Sequence, residues 1–312
     1  MARKRRGRKL DGWLVIDKPS GLTSTAVVNR VRRLLDAAKA GHAGTLDPIA
    51  TGVLPIALGE ATKTVAFAMA GTKIYRFTIR WGERRTTDDG EGELLESSAL
   101  RPDEASIRAA LPPLIGEIEQ VPPAYSAIKI EGRRAYDLAR EGAPPDLEAR
   151  TVRIDRLELI ACPDADHAEF EVECGKGAYM RGLARDLAHA MGTLGHVAAL
   201  RRLRVGPFTA RAAISLDKLE AVGHSAAALE HLLPVETALA DIPALALTDI
   251  EANLLRSGRA VQVLRLADRD RVDGLAEGDP VCAMSEGRLV ALTRVGRGGP
   301  VIQLHPVRVL NL

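Results

Sequence analysis

Apolar residues recur along this chain with two periods, and the periods assign its elements. Trp13 to Ile16 is a continuous apolar run, short enough for a buried strand. Past the turn Lys18-Pro19-Ser20-Gly21, residues Val27, Val28, Val31, Leu34 and Leu35 share one helical face, with Arg30, Arg32 and Arg33 opposite. Ser24 or Thr25 is the expected cap of that helix. A second apolar run spans Val53 to Leu58, and Glu60 to Met69 reads as another helix. Tyr75, Phe77, Ile79 and Trp81 alternate with Arg76, Thr78 and Arg80, which marks a half-buried strand with core-facing residues at three of the four apolar positions.

Downstream, Arg84 to Gly92 is a polar loop, Pro102 to Leu111 a helix, and the chain around Val121-Pro122-Pro123 extended. Tyr125 to Ile130, a turn at Gly132 and Arg133 to Arg140 form a strand-turn-helix unit. Strands follow at Thr151 to Ile160 and Ala168 to Cys174. Gly175-Lys176-Gly177 then leads into a helix from Tyr179 to Met191 that Gly192 closes. Ala198 to Val205 is a strand, and helices resume near Ser215. Beyond 240 the character changes. Thr248-Asp249-Ile250-Glu251 is a capping box opening a short helix that Gly258 ends, and only short strand signals follow, at Pro280 to Met284, Arg288 to Val295 and Val301 to Leu310. Without regular βαβ alternation, the expected class is α+β. A mixed, largely antiparallel sheet with flanking helices occupies 12–240, and a small β-rich unit occupies 241–312.

At 312 residues the chain is long enough for two domains, and its 46% hydrophobic and 27% charged content is that of a globular protein. A net charge of +2 says little about partners, but the arginines cluster at 3–9, 30–33, 76–85, 133–134 and 201–204. Such clusters read either as a phosphate-binding surface or as solvated helix faces. The first eleven residues are basic and lack apolar periodicity, which predicts a disordered tail over 1–11. The apolar run behind that tail is too short for a secretory signal, and no stretch approaches the length of a membrane span. Three cysteines at 162, 174 and 282 show neither CxxC spacing nor a metal-ligand pattern, which fits a reducing cytoplasm.

The chemistry centres on Gly41 to Pro55, where glycines at 41, 44 and 52 and prolines at 48 and 55 shape a loop leading into the second apolar run. Asp47 is its only acidic residue. Asp followed by Pro reads first as turn chemistry. The wider pattern changes that reading. Residues Gly41 to Lys63 resemble the signature of the TruB family of tRNA pseudouridine synthases. The likeness continues at Leu14 to Ser24, Lys73-Ile74-Tyr75-Arg76, Val121 to Lys129, Lys176 to Arg181 and Leu200 to Arg204.

The resemblance implies the pseudouridine synthase fold with a C-terminal PUA-like RNA-binding domain over 241–312. It also implies an RNA-gripping insertion at 121–150 within the catalytic domain, 12–240. The implied activity is isomerisation of uridine 55 in the T loop of tRNA: the N1–C1′ bond breaks, the uracil turns, and it rejoins through C5. That reaction needs a carboxylate, a platform for the freed base, and no metal or other cofactor. Asp47 matches the carboxylate, acting at C1′, at C6 or as a base. Arg181 matches its cationic partner, expected to meet it through paired guanidinium donors. Tyr75 matches the tyrosine that stacks on the base, Leu200 the apolar residue beside it, and His42 the residue filling the space the flipped uridine leaves. Lys18, Lys129 and Tyr179 match supporting positions. Asp89 matches an acid of the arginine network, but the loop reads Arg85-Thr86-Thr87-Asp88-Asp89 where the family carries a Thr-Asp-Thr-x-Asp-like run, which leaves Asp88 open beside it. The implied partner is the T arm of tRNA, met by a cytoplasmic monomer with no obligatory protein partner and no membrane.

Three other readings compete. A guide-RNA-dependent relative shares the Asp motif but lacks most of the segment at 121–150. A non-enzymatic RNA-binding protein has no need of Asp47 and Arg181 together. A carboxylate-pair glycosidase requires a second acid in a comparable loop motif, and none is present.

Overall fold

The alternation at 73–81 becomes the middle of a large sheet. The computed structural model describes residues 7–126, 128–130, 132–141, 145–223, 225–263, 274–298 and 301–312. In chain order the first part contains β1 (Gly12–Lys18), α1 (Ser24–Leu34), β2 (Ala40–His42), β3 (Thr51–Leu58), α2 (Val65–Ala70) and β4 (Lys73–Trp81). The hairpin β5 (Glu83–Arg85) and β6 (Leu94–Ser97), α3 (Glu104–Ala110) and β7 (Gly116–Gln120) come next. The small pair β8 (Lys129–Ile130) and β9 (Arg133–Arg134) precedes α4 (Ala135–Arg140), β10 (Arg150–Asp164), β11 (His167–Cys174) and α5 (Met180–Ala190). Then come β12 (Gly195–Val205), β13 (Phe208–Thr209), β14 (Ile214–Ser215), α6 (Leu216–Val222) and α7 (Ala226–Leu229). The last part holds β15 (Ala244–Ala246), α8 (Asp249–Arg256), β16 (Val261–Gln262), β17 (Pro280–Ser285), β18 (Arg288–Gly298) and β19 (Val301–Val309).

Ten strands form one sheet in the order β14-β1-β3-β12-β4-β11-β10-β7, with β13 on β12 and β2 on β3. Pairing is antiparallel except where β14 meets β1 and β12 meets β3. The class is therefore α+β with a mixed, largely antiparallel sheet, as the patterning required. Phe77 lies opposite Phe170 and Leu200 on the neighbouring strands, with the two phenyl rings stacked at 5.4 Å and Trp81 edge-on to Phe170 at 6.3 Å. Phe77, Ile79 and Trp81 are buried, and Tyr75 is only half-buried.

Four local expectations change. The cap of α1 is Thr23, whose Oγ1 accepts the Ala26 N–H at 3.1 Å, because Ser24 is buried and its hydroxyl bonds Leu46 instead. The helix expected over Glu60 to Met69 is a short 3₁₀ turn, Gly59–Lys63, followed by α2; Gly59 takes φ +52 and the Thr64 hydroxyl bonds the Ala61 carbonyl where the two meet. The polar loop begins and ends in the β5–β6 hairpin. Residues 8–11 of the expected tail are built into the fold: Arg8 bridges Ala37, Leu10 packs on the core, and the Asp11 carboxylate accepts the Glu60 N–H at 2.7 Å. Residues 1–6 lie outside the described residues.

A five-stranded sheet, β15-β17-β18-β19-β16, forms the C-terminal β-rich domain, and the Thr248–Glu251 capping box opens α8 as expected. One apolar cluster runs from Trp13, Val15 and Val53 to Cys282, Leu289, Leu292 and Leu310. A polar clasp lies beside it. Glu60 accepts from Lys63 Nζ at 2.6 Å and from the Asn311 N–H at 2.8 Å, and Lys63 Nζ also donates to the Val309 carbonyl at 2.8 Å. Among the described residues, no helix is long and apolar enough to cross a membrane.

Gly52 opens β3 at φ +98, and a Cβ there would sit 2.2 Å from the Arg202 carbonyl of β12. Gly21 has φ +83 but open space around it. Gly21→Ala is therefore expected to cost backbone strain alone, about 1–2 kcal/mol. Gly52→Ala should cost clearly more, since β12 must also move. Urea unfolding midpoints of the two variants check this; equal midpoints would mean that β12 yields without resistance.

Candidate active site

The segment between β2 and β3 has no strand ladder of its own, so its backbone polar groups must be bonded one by one. Ser24 Oγ accepts the Leu46 N–H at 2.8 Å and donates to the Leu46 carbonyl at 3.0 Å. Lys18 is fully buried and donates from Nζ to the carbonyls of Pro19, Leu22 and Pro48 at 2.9, 2.6 and 3.1 Å. The Gly21 N–H also reaches the Pro48 carbonyl, at 2.9 Å. Arg202, 1% exposed, donates to the Gly44, Thr45 and Val53 carbonyls at 3.0, 3.4 and 2.8 Å. Asp47 stands at the centre of this anchored loop.

Arg181 approaches it from the second position of α5. Its Nε donates to Asp47 Oδ2 at 2.9 Å and lies 3.7 Å from Asp89 Oδ2. The remaining donors go to carbonyls, Nη1 to Thr87 and Nη2 to Tyr125, both at 2.9 Å. The paired-donor contact expected with Asp47 is thus not the geometry observed. The guanidinium spreads its donors over three loops and spends a single one on the carboxylate. The Arg181 side chain is 4% exposed and that of Asp47 32%, so a fixed cation holds an accessible acid. Asp89 is buried with the same arginine, and its Oδ1 accepts from the Thr87 hydroxyl and the Glu91 N–H. Asp88 pairs instead with Arg185 at 3.0 Å, and burial pushes its carboxyl above the usual range.

The other residues singled out from the motifs surround this pair. Burial raises the Tyr75 phenol on β4, opposed by the charge of Arg202. Leu200 is buried on β12, and its carbonyl accepts from Thr51 Oγ1 at 3.4 Å. His42 closes β2, half-buried, at the entrance to the loop. Tyr179 caps α5, with burial raising its phenol as well. Its N–H and carbonyl are both bonded by the Gln120 side-chain amide, at 2.8 and 3.1 Å. The charge of Asp47 is felt by Lys18, Tyr75 and Tyr179 alike. Lys129 contributes backbone to β8, and its side chain lies outside the described residues. Gln120 escaped the sequence reading, while Ser24 and Arg202 lay inside quoted motifs without these roles, Ser24 read instead as a helix cap.

Among the described residues, most arginines of the basic clusters already have acid or carbonyl partners. Arg201 holds Asp17 with two bonds at 3.0 and 2.9 Å, Arg202 is buried, and Arg204 bonds the Gly206 carbonyl. Arg76 pairs with Glu171, Arg80 and Arg85 with Glu83, Arg84 with Glu96, Arg30 with Glu220 and Arg133 with Glu141. Glu171 and Glu96 sit across the strand pair and Glu220 on another helix, positions that a linear scan for basic residues does not register, whereas Glu83 lies beside its arginines in the chain. Arg32, Arg33 and Lys176 remain exposed.

Solved structures share the fold. A Cbf5–Nop10–Gar1 complex aligns over 96% of this chain and 84% of that one, with a TM-score of 0.73 and 26% identity. The archaeal box H/ACA Nop10–Cbf5 complex, at 24% identity, has the same fold with a TM-score of 0.73 over 99% of this chain and 92% of that one. Family models and full-length relatives make the molecule an enzyme of the pseudouridine synthase class. Residues 32–180 match the model of the TruB family pseudouridylate synthase N-terminal domain, and 181–240 that of the tRNA pseudouridylate synthase B C-terminal domain. A tRNA pseudouridine synthase B of Rhodospirillum rubrum is 56% identical over 312 residues, covering 100% of both chains. One of Gluconacetobacter diazotrophicus is 59% identical over 315 residues, covering 99% of this chain and 100% of its own. The chain belongs to the TruB family of pseudouridylate synthases.

Burial lowers the Lys18 ammonium from its usual 10.5 to about 8, with the charge of Asp47 acting in the opposite direction. Between about pH 8 and pH 10 the unfolded chain therefore binds the Lys18 proton more fully than the native one, so this residue makes stability rise with pH across that window. The stability of wild type relative to Lys18→Met should accordingly improve from pH 8 to pH 10 and stay flat below pH 7. Urea unfolding of both proteins across this range checks the sign.

Proposed function

We propose that this enzyme converts uridine 55 in the T loop of tRNA to pseudouridine. The observation that carries the reading is the Arg181–Asp47 contact at 2.9 Å, in which a buried guanidinium fixes one oxygen of a carboxylate that stays accessible. A carboxylate acting as nucleophile or base must be ionised, and a cation at contact distance favours that form. Asp47 then acts at the sugar or the base, Tyr75 and Leu200 hold the uracil while it turns, and Tyr179 and Asp89 keep Arg181 in place. Lys18 anchors the loop. His42 occupies the stack that the extruded nucleotide leaves, offsetting part of a flipping cost of a few kcal/mol.

The full-length identity to relatives named tRNA pseudouridine synthase B supports tRNA as the substrate. Residues 121–150, with Lys129, grip the T loop, and the β-rich unit of 241–312 is a PUA-type contact to the rest of the RNA. The protein acts alone, as a monomer in the cytoplasm, with phosphates met by exposed bases such as Arg32, Arg33 and Lys176. Incubating the purified protein with unmodified tRNA and no guide RNA, then mapping pseudouridine, tests the assignment. Product at another position overturns the site, and a requirement for added RNA overturns the stand-alone reading.

Two substitutions separate the roles at the pair. Asp47→Asn keeps size and loses charge, so isomerisation should vanish while tRNA affinity holds; measurable turnover by the pure variant would remove Asp47 from the chemistry. Arg181→Lys keeps charge but cannot reach Asp47 and two loop carbonyls at once, and small displacements of a reacting group cost about 100-fold. Its defect should lie in the single-turnover rate at saturating enzyme, whereas a loss confined to affinity would make Arg181 an RNA ligand.

A further inference from the structure

Arg202 is the least expected charge in the fold. It is 1% exposed, sits in the middle of the ten-stranded sheet, and no carboxylate lies within ion-pair reach of it among the described residues. A buried charge without a counter-ion is costly and persists where its donors do something specific. Here all of its hydrogen bonds run to one loop. Nη2 and Nη1 hold the Gly44 and Thr45 carbonyls just before Asp47, and Nε holds the Val53 carbonyl just after it. The backbone makes room for this. Gly44 takes φ +96 with the guanidinium 3.4 Å from where a Cβ would be, and Gly52 takes φ +98 against the Arg202 carbonyl.

The same residue faces the other side of the reaction. In the β12–β4 ladder Arg202 stands directly opposite Tyr75, and a bulge between Arg202 and Arg204 disrupts the register just beyond it. Side chains of directly opposed antiparallel residues lie on one face, close enough to touch, and bulges re-aim the side chains beside them. The charge of Arg202 acts on the Tyr75 phenol, drawing it down against the larger upward push of burial.

We infer that Arg202 is a positioning residue that couples the two reactive groups: its fork fixes both ends of the Asp47 loop while the same guanidinium orients the Tyr75 hydroxyl. Aspartate and tyrosine are thereby held at a set separation across the space where the freed uracil turns. The inference rests on the reading above that Asp47 and Tyr75 are the reacting side chains. The guanidinium touches neither sugar nor base, so its effect on rate is exerted wholly through those two residues.

Arg202→Lys retains the charge, and one ammonium cannot hold three carbonyls and a phenol together. The expected result is a single-turnover rate on unmodified tRNA lowered about 100-fold, with tRNA affinity near wild type. Arg202→Met is read by ultraviolet titration of tyrosinate in the RNA-free protein, with the Tyr75→Phe background subtracted; the chain has four tyrosines, so the difference is measurable. Burial raises the Tyr75 phenol and Arg202 draws it down. Loss of the guanidinium from an intact site therefore moves the Tyr75 titration to higher pH. A residue that merely propped up the sheet would, when lost, let water in and move it to lower pH. A wild-type rate for Arg202→Lys overturns the proposal, as does a rate loss matched by an equal loss of tRNA affinity or a downward shift in a folded Arg202→Met. Should Arg202→Met not fold, the kinetics of Arg202→Lys decide. Activity in Asp47→Asn or Tyr75→Phe would instead remove the reading on which the proposal rests, and that result is distinguishable because it does not involve Arg202.

Discussion

The site depends on the need to bond the carbonyls of an irregular loop. Residues 43–50 are partly buried and have no ladder of their own, and a buried carbonyl left unbonded costs about 1–3 kcal/mol. Water would satisfy these groups on an exposed loop. Here side chains reach in from α1, β1 and β12 to do so. Fully buried Lys18 and Arg202 are explained by this demand: each offers several donors to a cluster of acceptors that no neutral side chain could serve alone. The loop is thereby tied to the sheet, with the Asp47 carboxylate left accessible.

The same demand sets the local field. Lys18, Arg181 and Arg202 bring three buried positive charges to a region where Asp47 and Asp89 supply the negative ones. Arg181 does double service, neutralising Asp47 and closing two further loops through Thr87 and Tyr125. Glu91 adds a third acid beside Asp47 and Asp89, so the site is close to balanced, and each interaction gains strength once a substrate covers the cleft and excludes water, since the local dielectric falls. The long-range basic surface is weaker than the arginine count suggests, because cross-strand acids such as Glu171 already hold their neighbours.

Much of this was legible in the chain. The period-two run Tyr75, Phe77, Ile79 and Trp81 located the central strand, and the capping box at Thr248 located the last helix. The motifs around Asp47 and Arg181 put the two residues in one site although 134 positions separate them. What stayed hidden was of one kind. Ser24, Gln120 and Arg202 act on backbone groups far away in sequence, and a backbone carbonyl carries no residue identity that a pattern could reveal. The single-donor contact between Arg181 and Asp47 was hidden for the same reason, since its other donors are claimed by the Thr87 and Tyr125 carbonyls. The ordered stretch 8–11 was missed because basic composition outweighed two anchors, Leu10 and Asp11.

The clasp at Glu60 and the apolar cluster beside it have an evolutionary consequence. Trp13, Val15 and Val53 rest on residues as late as Leu310, while Glu60 and Lys63 bond the last strand's end. A C-terminal unit attached by a flexible tether can be exchanged, duplicated or dropped with little cost to its neighbour. One whose apolar residues belong to the same cluster as the catalytic sheet's cannot. The strands that carry the Asp47 loop and the final twenty residues of the chain are therefore bound to drift together, with a substitution on either side of the seam changing which residues the other will tolerate.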